Sequence, residues 1–353
     1  MLGGACWPAA PELFSLGRST RHYTSTTIQK PMRTPIAVTL IIMGTLLVMT
    51  PEAAVSATPA TAPPAAILIT DCGAEMDDQW ALAHLLLSTE LDLRAVITTH
   101  ASSIRFSSAT SAKKAAEVVQ HVLPARASSL PVVAGSPEPL QDAKTPRENA
   151  GVDLLLRLSG DFSPSRRLIV FSIGASTDVA SAILKDPSIS NRITVVAMGF
   201  EDWPEGRDFF NVKNDPLAWQ IILNSDVPLV IGSGEAAKRG LKLTRAEAAA
   251  LMRSHGPTGE YLFSQFDDWL TRQPKLVARV VAPETWAIWD EIVVAYALGL
   301  ARGREVPRPQ LQPDLSFSHP ETTKRITWLD EIDTEQLWRD FTRKIDSRPR
   351  TGP

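Results

Sequence analysis

The chain predicts an α/β fold, an open and mostly parallel doubly wound sheet with helices on both faces. Three observations predict it. Short apolar runs rich in Val, Ile and Leu alternate with segments of helical periodicity, as in a parallel sheet with crossover helices. Polar residues follow several of these runs, and so fall on the carboxyl edge of the sheet, where open α/β sheets hold their ligands. No internal repeat shows at periods of about 20 to 50 residues, which excludes solenoids and propellers.

In chain order, the N-terminal part reads as export machinery. Met32-Arg33-Thr34-Pro35 is a basic start, and the apolar stretch from Ile36 to Met49 that follows falls short of the roughly 20 residues needed to span a bilayer. Val55-Ser56-Ala57 supplies the small residues of a cleavage site. Residues 1–31 are read as a mis-called extension ahead of a second initiator at Met32, 32–57 as a signal peptide, 58–65 as a flexible leader and 66–345 as the folded domain. The mature protein is expected to be exported, periplasmic or secreted, with no stable membrane anchor once the signal is removed.

Strands are predicted near 66–70, 93–98, 131–134, 168–172, 194–198 and 229–231. Helices are predicted near 77–87, 108–123, 152–158, 177–184, 216–224, 244–253, 259–271 and 290–300. The tail after Arg302 is rich in Pro and charge and carries no functional signal. At 353 residues the chain is long enough for one large core. A net charge of −3 with 21% charged residues gives no nucleic-acid surface. Two cysteines, Cys6 and Cys72, can build neither a disulfide framework nor a Cys-based zinc site.

Residues 67–82 carry the strongest chemical signal. An apolar run ends in Asp71, passes through Gly73, and reaches Glu75 and the adjacent Asp77 and Asp78 where a helical pattern begins. Carboxylates crowded into one strand-to-helix turn repel, and a cation or a bound polyol offsets the repulsion. The plainer alternative makes Asp77 or Asp78 a helix N-cap and Asp71 a turn residue. It leaves unexplained why Asp71 stands at a strand's carboxyl end, so the pattern points to a metal site.

Several further segments resemble one family in its own order. Asp71-x-Gly73-x-Glu75-x-Asp77-Asp78 is similar to an Asp-x-Gly-x-Asp-Asp signature lengthened by two residues, and Pro131-Val-Val-Ala-Gly135 with Pro139-Leu140 to its Pro-Val-x-x-Gly…Pro-Leu segment. Gly174-Ala-Ser-Thr177-Asp178 with Asp186-Pro187 resembles Gly-Pro-Leu-Thr-Asn…Asp-Pro, and Phe210-Asn211 with Asp215-Pro216 resembles Phe-Asn-x-x-x-Asp-Pro. From about Ile67 to Leu300 the chain resembles the inosine-uridine nucleoside hydrolases, calcium-dependent enzymes that cut the N-glycosidic bond of ribonucleosides.

The resemblance implies that Asp71, Asp78, the Thr177 carbonyl and Asp290 hold Ca²⁺, a hard cation suited to oxygen donors. It implies Asp71 as general base, Asp77 on the ribose hydroxyls and Asn211 on the sugar from the opposite side. The substrate would be a nucleoside or related riboside, with no nucleic acid as partner and a homo-oligomer left open. His100, on the predicted rim, could reach the substrate, or be a hydrogen-bonded loop residue. Trp203, Trp286 and Trp289 could offer a stacking surface or pack in the core. His84, inside an apolar helix, reads as packed, and Glu148-Asn149-Ala-Gly151 as a family loop or a simple turn. Glu75 is either an extra ligand or a solvated turn residue.

There are also departures from the family. Trp289 stands where many members place a His that could protonate the leaving base, Phe209 replaces a sugar-holding Glu, with Asp208 adjacent, and Ser103 replaces an Asn. The metal half of the site looks intact and the base-binding half altered, as in a divergent exported branch. Two functions follow as expectations: calcium-dependent hydrolysis of a ribosyl bond, or a catalytically weakened calcium- and sugar-binding protein on the same fold. A phosphatase using Asp71 as nucleophile is disfavoured because Gly73 stands where a second Asp is needed.

Overall fold

The structure, a computed structural model, describes residues 62–208 and 210–347. The expected extension, the signal peptide, residues 58–61 of the leader, and Phe209 lie outside the described residues. The strands are β1 (Ala65–Thr70), β2 (Asp92–Thr98), β3 (Val132–Ala134), β4 (Leu168–Ser172), β5 (Ile193–Met198), β6 (Leu229–Gly232), β7 (Lys242–Thr244), β8 (Thr285–Ala287), β9 (Ala301–Pro307), β10 (Gln310–Leu311), β11 (Phe317–Ser318) and β12 (Arg325–Ile332). The helices are α1 (Asp77–Leu87), α2 (Ser108–Val122), α3 (Ala150–Ser159), α4 (Thr177–Lys185), α5 (Asn211–Asn214), α6 (Pro216–Asn224), α7 (Gly234–Leu241), α8 (Arg245–Met252), α9 (Gly256–Arg272), α10 (Pro274–Val280), α11 (Glu291–Ala297) and α12 (Thr334–Asp346).

Eight strands form the central sheet in the order β3-β2-β1-β4-β5-β6-β12-β9, parallel except for β9 at one edge. β1 is buried along its whole length because it lies mid-sheet with helices on both faces. Its side chains alternate between two cores. Ala66 and Leu68 join the layer built with Trp80 of α1, Val118 of α2, Leu262 of α9, Ile292 of α11 and Phe341 of α12. Ile67 and Ile69 join the opposite layer, with Val152 of α3, Val179 of α4 and Trp219 of α6. Trp80 is anchored by an Nε1–H bond to the Leu262 carbonyl at 3.1 Å. At the far end of α1, His84 stacks on Phe341 and bridges Glu291 (2.9 Å) and Asp340 (3.1 Å), so it is packed as expected, within a buried ionic cluster.

The order reverses between β1 and β4. From β1 the chain winds outward through β2 and β3, then returns to β4 on the other side, leaving a crevice at the carboxyl ends of β1 and β4. The tail that carried no functional signal completes the sheet: β12 pairs parallel with β6, Thr327 opposite Val230, and β9 pairs antiparallel with β12. The helix expected over 290–300 ends at Ala297, and Gly299 follows with φ +72°.

Candidate active site and metal centre

The acidic turn leaves β1 at Thr70. The Ala74 N–H closes it on the Asp71 carbonyl at 2.9 Å, and Gly73 takes φ +93°, where a Cβ would also sit 2.8 Å from Lys114 Cγ. Met76 occupies the N-cap and makes no side-chain capping bond, so Asp77 and Asp78 are the first two helical residues and neither is the cap. Asp78 accepts a short hydrogen bond from Thr70 Oγ1. Asp290 arrives at the start of α11.

Asp71, Asp77, Asp78 and Asp290 are each at most 4% exposed, so their charges are not solvated. Carboxylate oxygens of Asp77, Asp78 and Asp290 lie within 4.8 Å of one another and can hold a metal ion. Asp71 is outside that set but shares its field. Burial raises the Asp71 carboxyl well above the usual range, and the charges of Asp78, Glu75 and Asp77 add to the effect. Asp78 and Asp290 are raised in the same way, by burial first and then by neighbouring carboxylates. Burial lifts Asp77 to about 7 against the pull of N–H groups that include those of Asp290 and Trp289. Glu75, only partly buried by area, is also raised well above the usual range, by burial and then by Asp77, Asp78 and Asp208, so it belongs electrostatically to the cluster. No Lys or Arg is among the leading influences on these groups. Asp71 Oδ2 is buried with no partner. Clustered buried oxygen donors whose leading influences include no Lys or Arg, with one of them orphaned, fit a hard divalent ion.

The remaining candidates surround this cluster unequally. Gly174, after β4, lies so close that a Cβ there would be 2.7 Å from Asp71 Oδ1 and 2.9 Å from Thr99 Cγ2. Thr177 begins α4 three residues later, its hydroxyl donating to Asp215 Oδ2 at 2.7 Å and meeting His100 Nε2 at 3.0 Å. His100 is fully buried, and burial, then the Arg147 charge, lowers its pKa to about 4. Asn211 donates its amide N–H to the carbonyls of Ile173 (3.1 Å) and Met198 (3.3 Å), which places it between the ends of β4 and β5. Trp289 is partly buried and meets Trp286 edge-on at 5.1 Å. Trp286 is core, 1% exposed, and Trp203 packs apart from both, against Phe317 and Trp328.

Other residues gain definite roles. Asp208 receives N–H bonds from Phe200, Phe210 and Val212, so it organises the loop after β5. Asn149 caps α3 and donates to Ser136 Oγ at 3.1 Å, so its segment is a helix start. Sequence reasoning assigned no role to Thr99, Asp215 or Glu201. Thr99 Oγ1 is buried without a partner, and burial, then Asp208 and Glu235, lifts Glu201 to about 7. Thr99 and Glu201 were legible only as members of polar loops after strands, and Asp215 only through the Asp215-Pro216 dipeptide, which reads equally as a helix cap, a role Asp215 also fills by accepting the Ala218 N–H.

The family model for inosine-uridine preferring nucleoside hydrolase matches residues 67–339. The chain belongs to this family. Among curated relatives it is 22% identical over 199 residues to the pyrimidine-specific ribonucleoside hydrolase RihA of Escherichia coli O9:H4, covering 49% of this chain and 61% of that protein. It is 23% identical over 191 residues to RihA of Salmonella schwarzengrund, covering 46% and 58%. The matches thus span about three fifths of these relatives' length. A plant nucleoside hydrolase superposes with a TM-score of 0.65 at 17% identity, covering 81% of this chain and 100% of the other. A purine-preferring ribonucleoside hydrolase from Gardnerella vaginalis gives 0.60 at 18%, covering 80% and 98%. These likenesses establish the open nucleoside hydrolase sheet.

Proposed function

We propose that this protein hydrolyses the N-glycosidic bond of a ribonucleoside or closely related riboside, as an exported, calcium-dependent enzyme. The observation that carries the reading is the buried cluster of Asp71, Asp77, Asp78 and Asp290 at the sheet's switch point, with Asp71 Oδ2 unpartnered. Asp71, Asp78, Asp290 and the Thr177 carbonyl would hold Ca²⁺, with Asp77 and Glu75 close enough to share its field. When bound, the ion offsets the carboxylate repulsion, orients vicinal sugar hydroxyls and acidifies a water.

The chain's own groups do the rest. Asp71, fixed at the end of β1, takes a proton from the attacking water. The water oxygen bonds to the anomeric carbon as the carbon–nitrogen bond breaks, and the base leaves with the bond's electron pair and needs a proton. The surrounding carboxylates stabilise oxocarbenium character at that carbon. Asp77 and Asn211 orient the sugar, and Trp289 offers a ring face or edge to the base. Trp289 supplies no titratable proton, so turnover depends on the leaving group.

The test is release of reducing sugar from a panel of nucleosides and from p-nitrophenyl riboside, with Ca²⁺ and with chelator. The nitrophenyl substrate should turn over far faster than inosine or uridine, and chelation should abolish both. If none is cleaved while ribose still binds with Ca²⁺, the calcium- and sugar-binding reading, favoured by Trp289, replaces the enzyme.

A further inference from the structure

Asp215, Thr177 and His100 form a buried chain of hydrogen bonds whose direction can be worked out. Asp215 Oδ2 accepts the Leu140 N–H at 2.9 Å and Oδ1 accepts the Ala218 N–H at 3.0 Å, so both carboxylate oxygens act as acceptors. The Thr177 hydroxyl donates its one proton to Oδ2 at 2.7 Å. At 3.0 Å from His100 Nε2, the same hydroxyl can then only accept, and the proton between them must sit on Nε2. In a neutral imidazole so fixed, Nδ1 is a bare acceptor. It is buried and has no partner.

Two more buried, unpartnered polar atoms lie at this rim, Asp71 Oδ2 and Thr99 Oγ1. The register of β1 and β2 sets Thr70 beside Thr98, and the Thr99 N–H bonds the Thr70 carbonyl at 2.8 Å, so Thr99 and His100 continue from β2 alongside Asp71. With Asp71 Oδ2 assigned to the metal, His100 Nδ1 and the Thr99 hydroxyl remain, and they need a ligand that carries O–H donors, since leaving a buried acceptor unmet costs free energy. A polyol meets that need, whereas a nucleobase face does not.

We infer that His100 is a sugar-binding residue locked as the Nε2–H tautomer by Thr177 and Asp215, which presents Nδ1 to accept a hydrogen bond from a sugar hydroxyl. Thr177 and Asp215 are positioning residues in this arrangement. The inference rests on the riboside reading and excludes His100 as the acid that protonates the leaving base, because its only ring proton is committed to Thr177.

The experiment is nitrogen NMR of the full chain labelled with ¹⁵N-histidine, Ca²⁺ present throughout, titrated with D-ribose. His100→Asn assigns the signal by removing it. Expected are a protonated Nε2 and a bare Nδ1, with Nδ1 moving toward a hydrogen-bonded shift as ribose binds. Thr177→Val, which keeps the backbone carbonyl, should mix the tautomers and weaken ribose binding about tenfold. A protonated Nδ1, an Nδ1 unmoved by ribose, or unchanged ribose affinity in Thr177→Val would overturn the inference. Sugar release from nucleosides is measured separately. Ribose held by His100 without turnover refutes the enzyme alone, and turnover with Nδ1 protonated refutes this inference alone.

Discussion

Replacing Gly174 with Ala tests whether Asp71 is held by its surroundings. The added Cβ would lie 2.7 Å from Asp71 Oδ1, 2.8 Å from the Asp71 backbone nitrogen and 2.9 Å from Thr99 Cγ2. A carboxylate oxygen alone could swing aside, but a backbone nitrogen at the end of a fully buried central strand cannot move without separating β1 from β4. Overpacking of this kind costs about 1–3 kcal/mol. A shift of several tenths of an ångström at a general base lowers turnover by up to ~10²-fold. The expected outcome is a folded protein whose melting temperature falls by several degrees, whose Ca²⁺ affinity falls at least about tenfold, and whose riboside hydrolysis falls more than its stability. Calorimetric Ca²⁺ titration and sugar-release kinetics measure this, with Gly160→Ala as control, since a Cβ there meets only the Arg157 carbonyl, at 3.2 Å. Wild-type Ca²⁺ affinity and turnover in Gly174→Ala would refute the claim that close packing around Asp71 builds the site.

Asp71→Asn keeps the shape but removes the proton acceptor, and should lower hydrolysis by about 10² or more with the fold intact. Normal turnover with metal content confirmed would remove Asp71 from the mechanism. Asp78→Ala should abolish Ca²⁺ binding, read by metal analysis, because it deletes a cluster carboxylate. Without Ca²⁺, stability should fall as pH rises. Asp77 is raised from the ordinary 3.8 to about 7, and Asp71, Asp78 and Asp290 are raised too, so the native state holds protons that the unfolded chain releases. That stabilisation is complete below about pH 4 and is lost as pH climbs through about 7. Melting curves in chelator should show this decline and Ca²⁺ should suppress it, whereas identical trends in both would contradict the metal assignment.

Much of this was legible in the chain. Alternating apolar runs and helical periods are local patterns, so they determined the α/β class, and β1, β4, β5 and β6 begin or end within a residue of their expected positions. The Asp-rich turn was legible because burying like charges in one short segment is costly wherever the fold places it. The resemblance then supplied the family, which the match over 67–339 established. The tertiary structure decided what depends on residues distant in sequence. It made the silent tail into β9, β12 and α12, because an edge strand such as β9 is defined by its partner's hydrogen bonds. It divided the three tryptophans, burying Trp286 with Trp289 edge-on against it and sending Trp203 to Phe317. It also joined His100, Thr177 and Asp215, residues 38 and 77 positions apart, through bonds that no local pattern encodes. A proton's position in such a chain is fixed by counting donors and acceptors in space, and only the fold brings them within reach of one another.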